Sequence, residues 1–96
     1  MLVLVTYDVS TETAVGRRRL NQVAKVCKDY GHRAQKSVFE CEVDPAQWCV
    51  LKARLLSIIN QEEDSLRFYY LGSNWERKIE HIGANAPPDM HDLLVI

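Results

Sequence analysis

Residues 30–48 read YGHRAQKSVFECEVDPAQW, and this stretch decides the fold. Gly31 closes a helical pattern that runs into it from upstream. His32–Gln35 and Val38–Val43 are two β-prone runs separated only by Lys36 and Ser37, the spacing of a tight hairpin. In the second run Phe39, Cys41 and Val43 alternate with Val38, Glu40 and Glu42, the period of a strand with one wet face. Asp44 followed by Pro45, with Gln47 three residues after Asp44, is a capping-box helix start. The centre of the chain is therefore helix, strand, strand, helix.

Working outward, Leu20, Val23, Ala24, Cys27 and Tyr30 recur at helical spacing, and Ser10, Thr11 and Thr13 offer N-cap oxygens ahead of them. Before these, Leu2–Tyr7 is a short apolar run rich in β-formers that suits a central strand covered on both faces, and Asp8 ends it. On the other side, Trp48, Leu51, Leu55 and Ile58 carry the stripe of a second helix expected to end near Gln61. An acidic turn, Glu62–Asp64, leads to a strand over Leu66–Leu71 that Gly72 closes. This order predicts an α+β, ferredoxin-like βαββαβ sandwich, with two helices on one face of a four-stranded antiparallel sheet. The domain is expected to span residues 1–83. Lys78–Ile82 reads as a further short strand, and Pro87-Pro88 separates it from a last apolar run, Leu93–Ile96. The tail, 84–96, is expected to add to an exposed sheet edge of a partner protomer or of another protein, with a frayed tail as the alternative.

Composition bounds the rest. At 96 residues and 47% hydrophobic content the chain has material for one core and one domain. It lacks the roughly 20 consecutive apolar residues of a membrane span, and Met1–Val5 is too short and too little basic for a signal peptide, so a soluble cytoplasmic protein is expected. Cys27, Cys41 and Cys49 fit neither a paired-thiol motif nor a zinc site and read as buried small apolar residues. A net charge of -1 is silent about nucleic acid, but its distribution is not. Arg17, Arg18, Arg19, Lys25, Lys28, Arg33 and Lys36 are seven of the twelve basic residues and share their segment with one acid, Asp29. One face can thus be basic in a chain of near-neutral total charge.

VTYDVS at Val5–Ser10, GRRRL at Gly16–Leu20, the segment Tyr30–Asp44 and DSLRFYYLG from Asp64 to Gly72 closely resemble the CRISPR-associated Cas-two family. Gln35–Glu40, QKSVFE, together with Asp8 is the specific part of that likeness. The resemblance covers most of the chain and implies the same ferredoxin-like fold. It also implies a homodimer, a role in spacer acquisition, a bridge between dimers of the Cas-one integrase, and a disputed divalent-metal endonuclease activity.

Two readings of Asp8 stand. It caps the following turn through Ser10 or Thr11, or it binds Mg²⁺ or another divalent ion such as Mn²⁺, with two Asp8 side chains meeting across a dimer axis. The resemblance favours the metal, with Asp8 as the catalytic residue, Ser10 as a hydrogen-bonding neighbour and Phe39 as a wall; plain core is the other reading of Phe39. His32, His81 and His91 are scattered and read as surface or satisfied core residues. Arg17, Arg18, Lys25, Lys28, Arg33 and Lys36 are the candidate nucleic-acid contacts, suited to sequence-tolerant, salt-sensitive binding of duplex DNA or RNA. Trp48, Trp75, Tyr69 and Tyr70 read as core or interface packing. The function expected first is a duplex-DNA adapter, with a metal-dependent endonuclease as the alternative. No Gly-rich loop or ligand motif supports a small-molecule sensing domain on this fold.

Overall fold

The computed structural model describes residues 1–71 and 79–84. Its elements are β1 (Leu2–Asp8), α1 (Ala14–Tyr30), β2 (His32–Gln35), β3 (Val38–Glu42), α2 (Pro45–Ile58), β4 (Ser65–Tyr70) and β5 (Ile79–Gly83). The sheet runs in the order β2-β3-β1-β4-β5 and every pairing is antiparallel. The first four strands and two helices form the expected ferredoxin-like sandwich. β5 adds a fifth strand to the β4 edge, so the sheet among the described residues is five-stranded, not four-stranded. Leu93–Ile96, His91 and Trp75 lie outside the described residues.

One face of the sheet makes the core. Val3, Val5 and Tyr7 of β1, Phe39 and Cys41 of β3, and Leu66 and Phe68 of β4 pack with Val23, Val26 and Cys27 of α1 and Trp48, Leu51 and Leu55 of α2. β1 is therefore not buried on both faces as expected. Leu2, Leu4 and Thr6 alternate with the core residues at intermediate exposure, and Asp8, at the end of the alternation, is exposed. Strand pairing carries β1 one residue past Tyr7, because Asp8 stands opposite Ser65 of β4.

The helix ends follow from local chemistry. Thr13 caps α1 by accepting from the N–H of Gly16, which selects it over Ser10 and Thr11. Asp44 and Gln47 form the reciprocal capping box of α2 at 2.7 and 2.9 Å. α2 stops at Ile58 rather than near Gln61, because Asn60 starts a turn: its side-chain oxygen accepts from the N–H of Glu62, and its carbonyl from those of Glu63 and Asp64. No helix among the described residues is long and apolar enough to cross a membrane.

The fifth strand is held by polar groups. Glu80 accepts from Lys52 of α2 at 2.8 Å and from the Tyr70 hydroxyl at 2.9 Å, and Tyr70 in turn accepts from the Trp48 indole at 3.2 Å. Burial, and then the Glu80 carboxylate, push the Tyr70 hydroxyl up to about 12. His81 is satisfied, as expected: guanidinium groups only donate, so its Nδ1 accepts from Arg67 at 3.0 Å and its Nε2–H donates to the Ala84 carbonyl. Gly83 has a φ of +109°, and a Cβ there would collide with the Asp64 carbonyl oxygen, so only glycine lets β5 end this close to β4.

One cysteine departs from the expectation. Cys27 and Cys41 are buried, whereas Cys49 is exposed, because it sits about 100° around α2 from the core-facing Trp48. Burial pushes the Cys27 thiol up to about 12 and that of Cys41 up to about 11, values at which thiolate is scarce near neutrality. Titration with a chromogenic disulfide reagent at pH 8 is expected to count one fast thiol per native chain and three after unfolding in guanidinium. Three fast thiols in the native protein would contradict this packing.

Candidate nucleic-acid interface

α1 presents its cations because its core side is filled. Gly16, Val23, Val26 and Cys27 are buried, and at 3.6 residues per turn Arg17, Arg18, Lys25 and Lys28 fall within about 100° of arc on the opposite side. All four are exposed. Arg17 is steadied by its Nη1, which donates to the Thr11 carbonyl at 3.0 Å.

The other two predicted cations lie beside this face. Arg33 and Lys36 line a groove of about 260 Å³ together with Leu20, Asn21 and Ala24 of α1. The Arg33 guanidinium sits 5.2 Å over the Phe39 ring, and Phe39 stacks on Tyr7 at 6.2 Å. The Tyr7 hydroxyl donates to the Lys36 carbonyl at 3.2 Å, which ties the hairpin turn to β1. Burial raises the Tyr7 pKa, with Arg33 opposing the shift. Since Asn21 lies between Arg17 and Lys25 on the helix circumference, the six cations form one continuous surface.

Asp8 is not part of that surface. Tyr7 points into the core beneath α1, and the next residue of a strand points the opposite way, so Asp8 projects from the other face of the sheet. Phe39 is fully buried on the helix side and does not share a face with Asp8. Among the described residues no three His, Cys, Asp or Glu side chains gather into a metal-binding group.

Ser10 leads to a residue that the sequence reading missed. Its N–H donates to Oδ1 of Asp64, whose side chain is fully buried. Oδ2 of Asp64 accepts from the Asn60 N–H at 3.0 Å and from Nε of Arg19 at 2.7 Å, while Glu63 takes Nη2 of Arg19 at 2.9 Å. Burial raises the Asp64 pKa, but the hydrogen bonds from Arg19, Asn60 and Ser10 outweigh it and hold the carboxyl below its ordinary value. The bond to Asp64, and after it the bond to Glu63, raise the pKa of Arg19. Arg19 thus belongs to the fold, whereas its neighbours Arg17 and Arg18 face outward. A signal existed in the helical spacing, which puts Arg19 on the core side of α1, where an arginine requires a carboxylate partner.

The model of the family described as CRISPR associated protein Cas2 matches residues 1–79. The chain belongs to the Cas2 family. A CRISPR-associated endoribonuclease Cas2 from Chlorobaculum tepidum is 58% identical over 96 residues, covering 100% of both chains. A CRISPR-associated endonuclease Cas2 from Halalkalibacterium halodurans is 54% identical over 95 residues and covers 99% of each. The crystal structure of Streptococcus pyogenes Cas2 at pH 6.5 superposes with a TM-score of 0.71 at 60% identity, covering 83% of this chain and 96% of that one. The resemblance read from VTYDVS and QKSVFE is borne out, and the chain is a CRISPR adaptation protein.

The divided roles within the Arg17–Arg19 run can be measured. Arg19→Gln leaves the Asp64 carboxylate buried without its cation and is expected to cost about 3 kcal/mol or more in urea unfolding. Arg17→Gln and Arg18→Gln are expected to stay within about 0.5 kcal/mol of the native protein. Because Asp64 titrates below its unfolded value, its contribution is fully present above about pH 4 and declines as the pH falls from there through the folded value. Asp64→Asn should therefore lower stability at neutral pH and flatten the acid limb of the stability profile; an acid limb as steep as that of the native protein would remove Asp64 as its source.

Proposed function

We propose that the protein is a homodimeric adapter of spacer acquisition that lays duplex DNA across its helix layer in the cytoplasm and bridges dimers of the Cas-one integrase. The carrying observation is the one-sidedness of its charge. α1 and α2 expose Arg17, Arg18, Lys25, Lys28 and Arg54 against a single acid, Asp29. Asp8, Glu40 and Glu42 alternate out of the core onto the other face of the sheet. Phosphates respond to this local field and not to the near-neutral total. Lysine and arginine on the outer face of a helix neutralise phosphates without reaching base edges, so binding should be sequence-tolerant and weaken steeply with salt. Two-fold pairing through the acid-bearing sheet face leaves both helix layers outward and doubles the basic surface. In this reading the segment 84–96 is the part of the chain offered to the integrase.

The names of the relatives, endoribonuclease and endonuclease, favour a second reading, in which the protein cleaves RNA or duplex DNA. It places Asp8 and the partner's Asp8 together on Mg²⁺ or Mn²⁺, since Mg²⁺ takes one or two carboxylates alongside water and phosphate oxygens. Such an ion would polarise the phosphodiester and acidify a bound water. Strand alternation puts Asp8 on the sheet face away from α1, so DNA resting on the outer side of α1 lies on the other side of the sheet from it. Binding and cleavage are separable functions on this scaffold, which supports the adapter as the primary one.

Both readings are tested on the purified protein. Fluorescence anisotropy with two duplexes of unrelated sequence, from 50 to 200 mM KCl, is expected to show equal affinities, and a log–log salt slope that drops by about 1.8 when Arg17 and Arg18 are both changed to Gln, at about 0.9 per phosphate contact. Asp8→Asn should bind like the native protein. No binding at low salt, or binding indifferent to salt, would sink the adapter reading. Incubation with Mg²⁺ and single-stranded RNA or linear duplex addresses the second: cleavage abolished by both EDTA and Asp8→Ala supports it, and cleavage that survives Asp8→Ala rejects Asp8.

A further inference from the structure

The six candidate cations leave out the second helix. On the flank of α1 away from the hairpin, Gln22, Lys25 and Val26 face Arg54, Ser57 and Ile58 of α2 across a groove of about 330 Å³. Its apolar lining is Val26 and Ile58, and each wall contributes one cation. The other cation of α2, Lys52, is occupied on the far side, where both of its bonds to Glu80 measure 2.8 Å. The Ser57 hydroxyl donates to the Arg54 carbonyl and brings no free donor. Donors into the groove therefore come from Lys25, Arg54 and the Gln22 amide.

Arg54 is seated in advance. Its guanidinium carbon lies 5.7 Å from the centre of the Tyr30 ring, and Nη1 donates to the Tyr30 hydroxyl at 3.4 Å. A guanidinium held on an aromatic face has surrendered part of its rotamer freedom before a ligand arrives, so ordering it on binding costs less. Asp29 approaches Nη2 at 3.6 Å, but both side chains are about half exposed, at 45% and 53%, and an ion pair in that setting is weak. A phosphodiester, a monoanion like Asp29 with two oxygens that match the guanidinium fork, can replace so loose a pair by bonding at hydrogen-bond distance.

We infer that this interhelical groove is a phosphodiester-binding site, in which Arg54 and Lys25 grip a backbone phosphate from opposite walls, Gln22 donates to it, and Val26 and Ile58 meet the carbon face of the sugar. The inference rests on the reading that duplex DNA lies over the helix layer. It extends the DNA path from the outer face of α1 onto α2 and adds Arg54 to the residues that hold it.

The test is the salt dependence of duplex binding by the full chain, with Arg54→Gln, Lys25→Gln and Arg17→Gln measured side by side and urea unfolding recorded for each. Arg54→Gln and Lys25→Gln are each expected to lower the log–log slope by about 0.9, equally for unrelated sequences, with unfolding midpoints unchanged. An unchanged slope in Arg54→Gln, while Arg17→Gln and Lys25→Gln lose their share, overturns the groove and leaves the helix-layer reading standing. Unchanged slopes in all three overturn that reading and the groove with it. If Arg54→Gln also shifts the unfolding midpoint, Gln22→Ala decides, because Gln22 lines the groove and is not one of the outer-face cations: weaker duplex binding at an unchanged slope supports the groove, and native affinity overturns it.

Discussion

One buried carboxylate holds the architecture together. Asp64 joins the loop after β1 through Ser10, the body of α1 through Arg19, and the turn after α2 through Asn60. Its backbone carbonyl also accepts from Ala84 at 2.9 Å, which ties in the end of β5. A charge in this position is tolerable only because every bond is made. Removing one partner leaves the remainder in a medium that cannot solvate it. The Asn60 N–H and the place of an arginine on the inner side of α1 both serve this one group.

The arrangement also sorts the chemistry of the molecule onto two sides. Strand alternation sends Tyr7 into the core and Asp8 away from it, while helical periodicity sends Arg19 inward and Arg17, Arg18, Lys25 and Lys28 outward. A cationic helix layer and an acid-bearing sheet face result, in a chain whose total charge is only -1. Such a body can offer one side to a polyanion and keep the other for its own copy.

The fifth strand shows how a weak pattern becomes a firm element. Ile79–Gly83 places Glu80 on the helix-facing side opposite Phe68, a position where a carboxylate is costly. Lys52 and Tyr70 answer that cost, and burial, which raises the Glu80 pKa, is outweighed by these two partners, so the carboxyl titrates below its ordinary value. Neither partner is near in sequence, which is why the segment read only as a short strand with no stated place in the sheet.

Much was legible in residues 30–48 and their flanks. The element order, the Asp44–Gln47 capping box, the hairpin at Lys36–Ser37, the alternating core of β3 and the family itself were all encoded in patterns a few residues long. Caps, turns and amphipathic periods are local, and the sequence carries them whole. Tertiary structure alone decided that Asp64 is the hub, that it is the partner of Arg19, that Glu80 meets Lys52 and Tyr70, and that Arg54 and Lys25 line one groove. Periodicity tells which side of an element is apolar, but the partner that covers that side comes from a distant part of the chain, and only folding brings the two together.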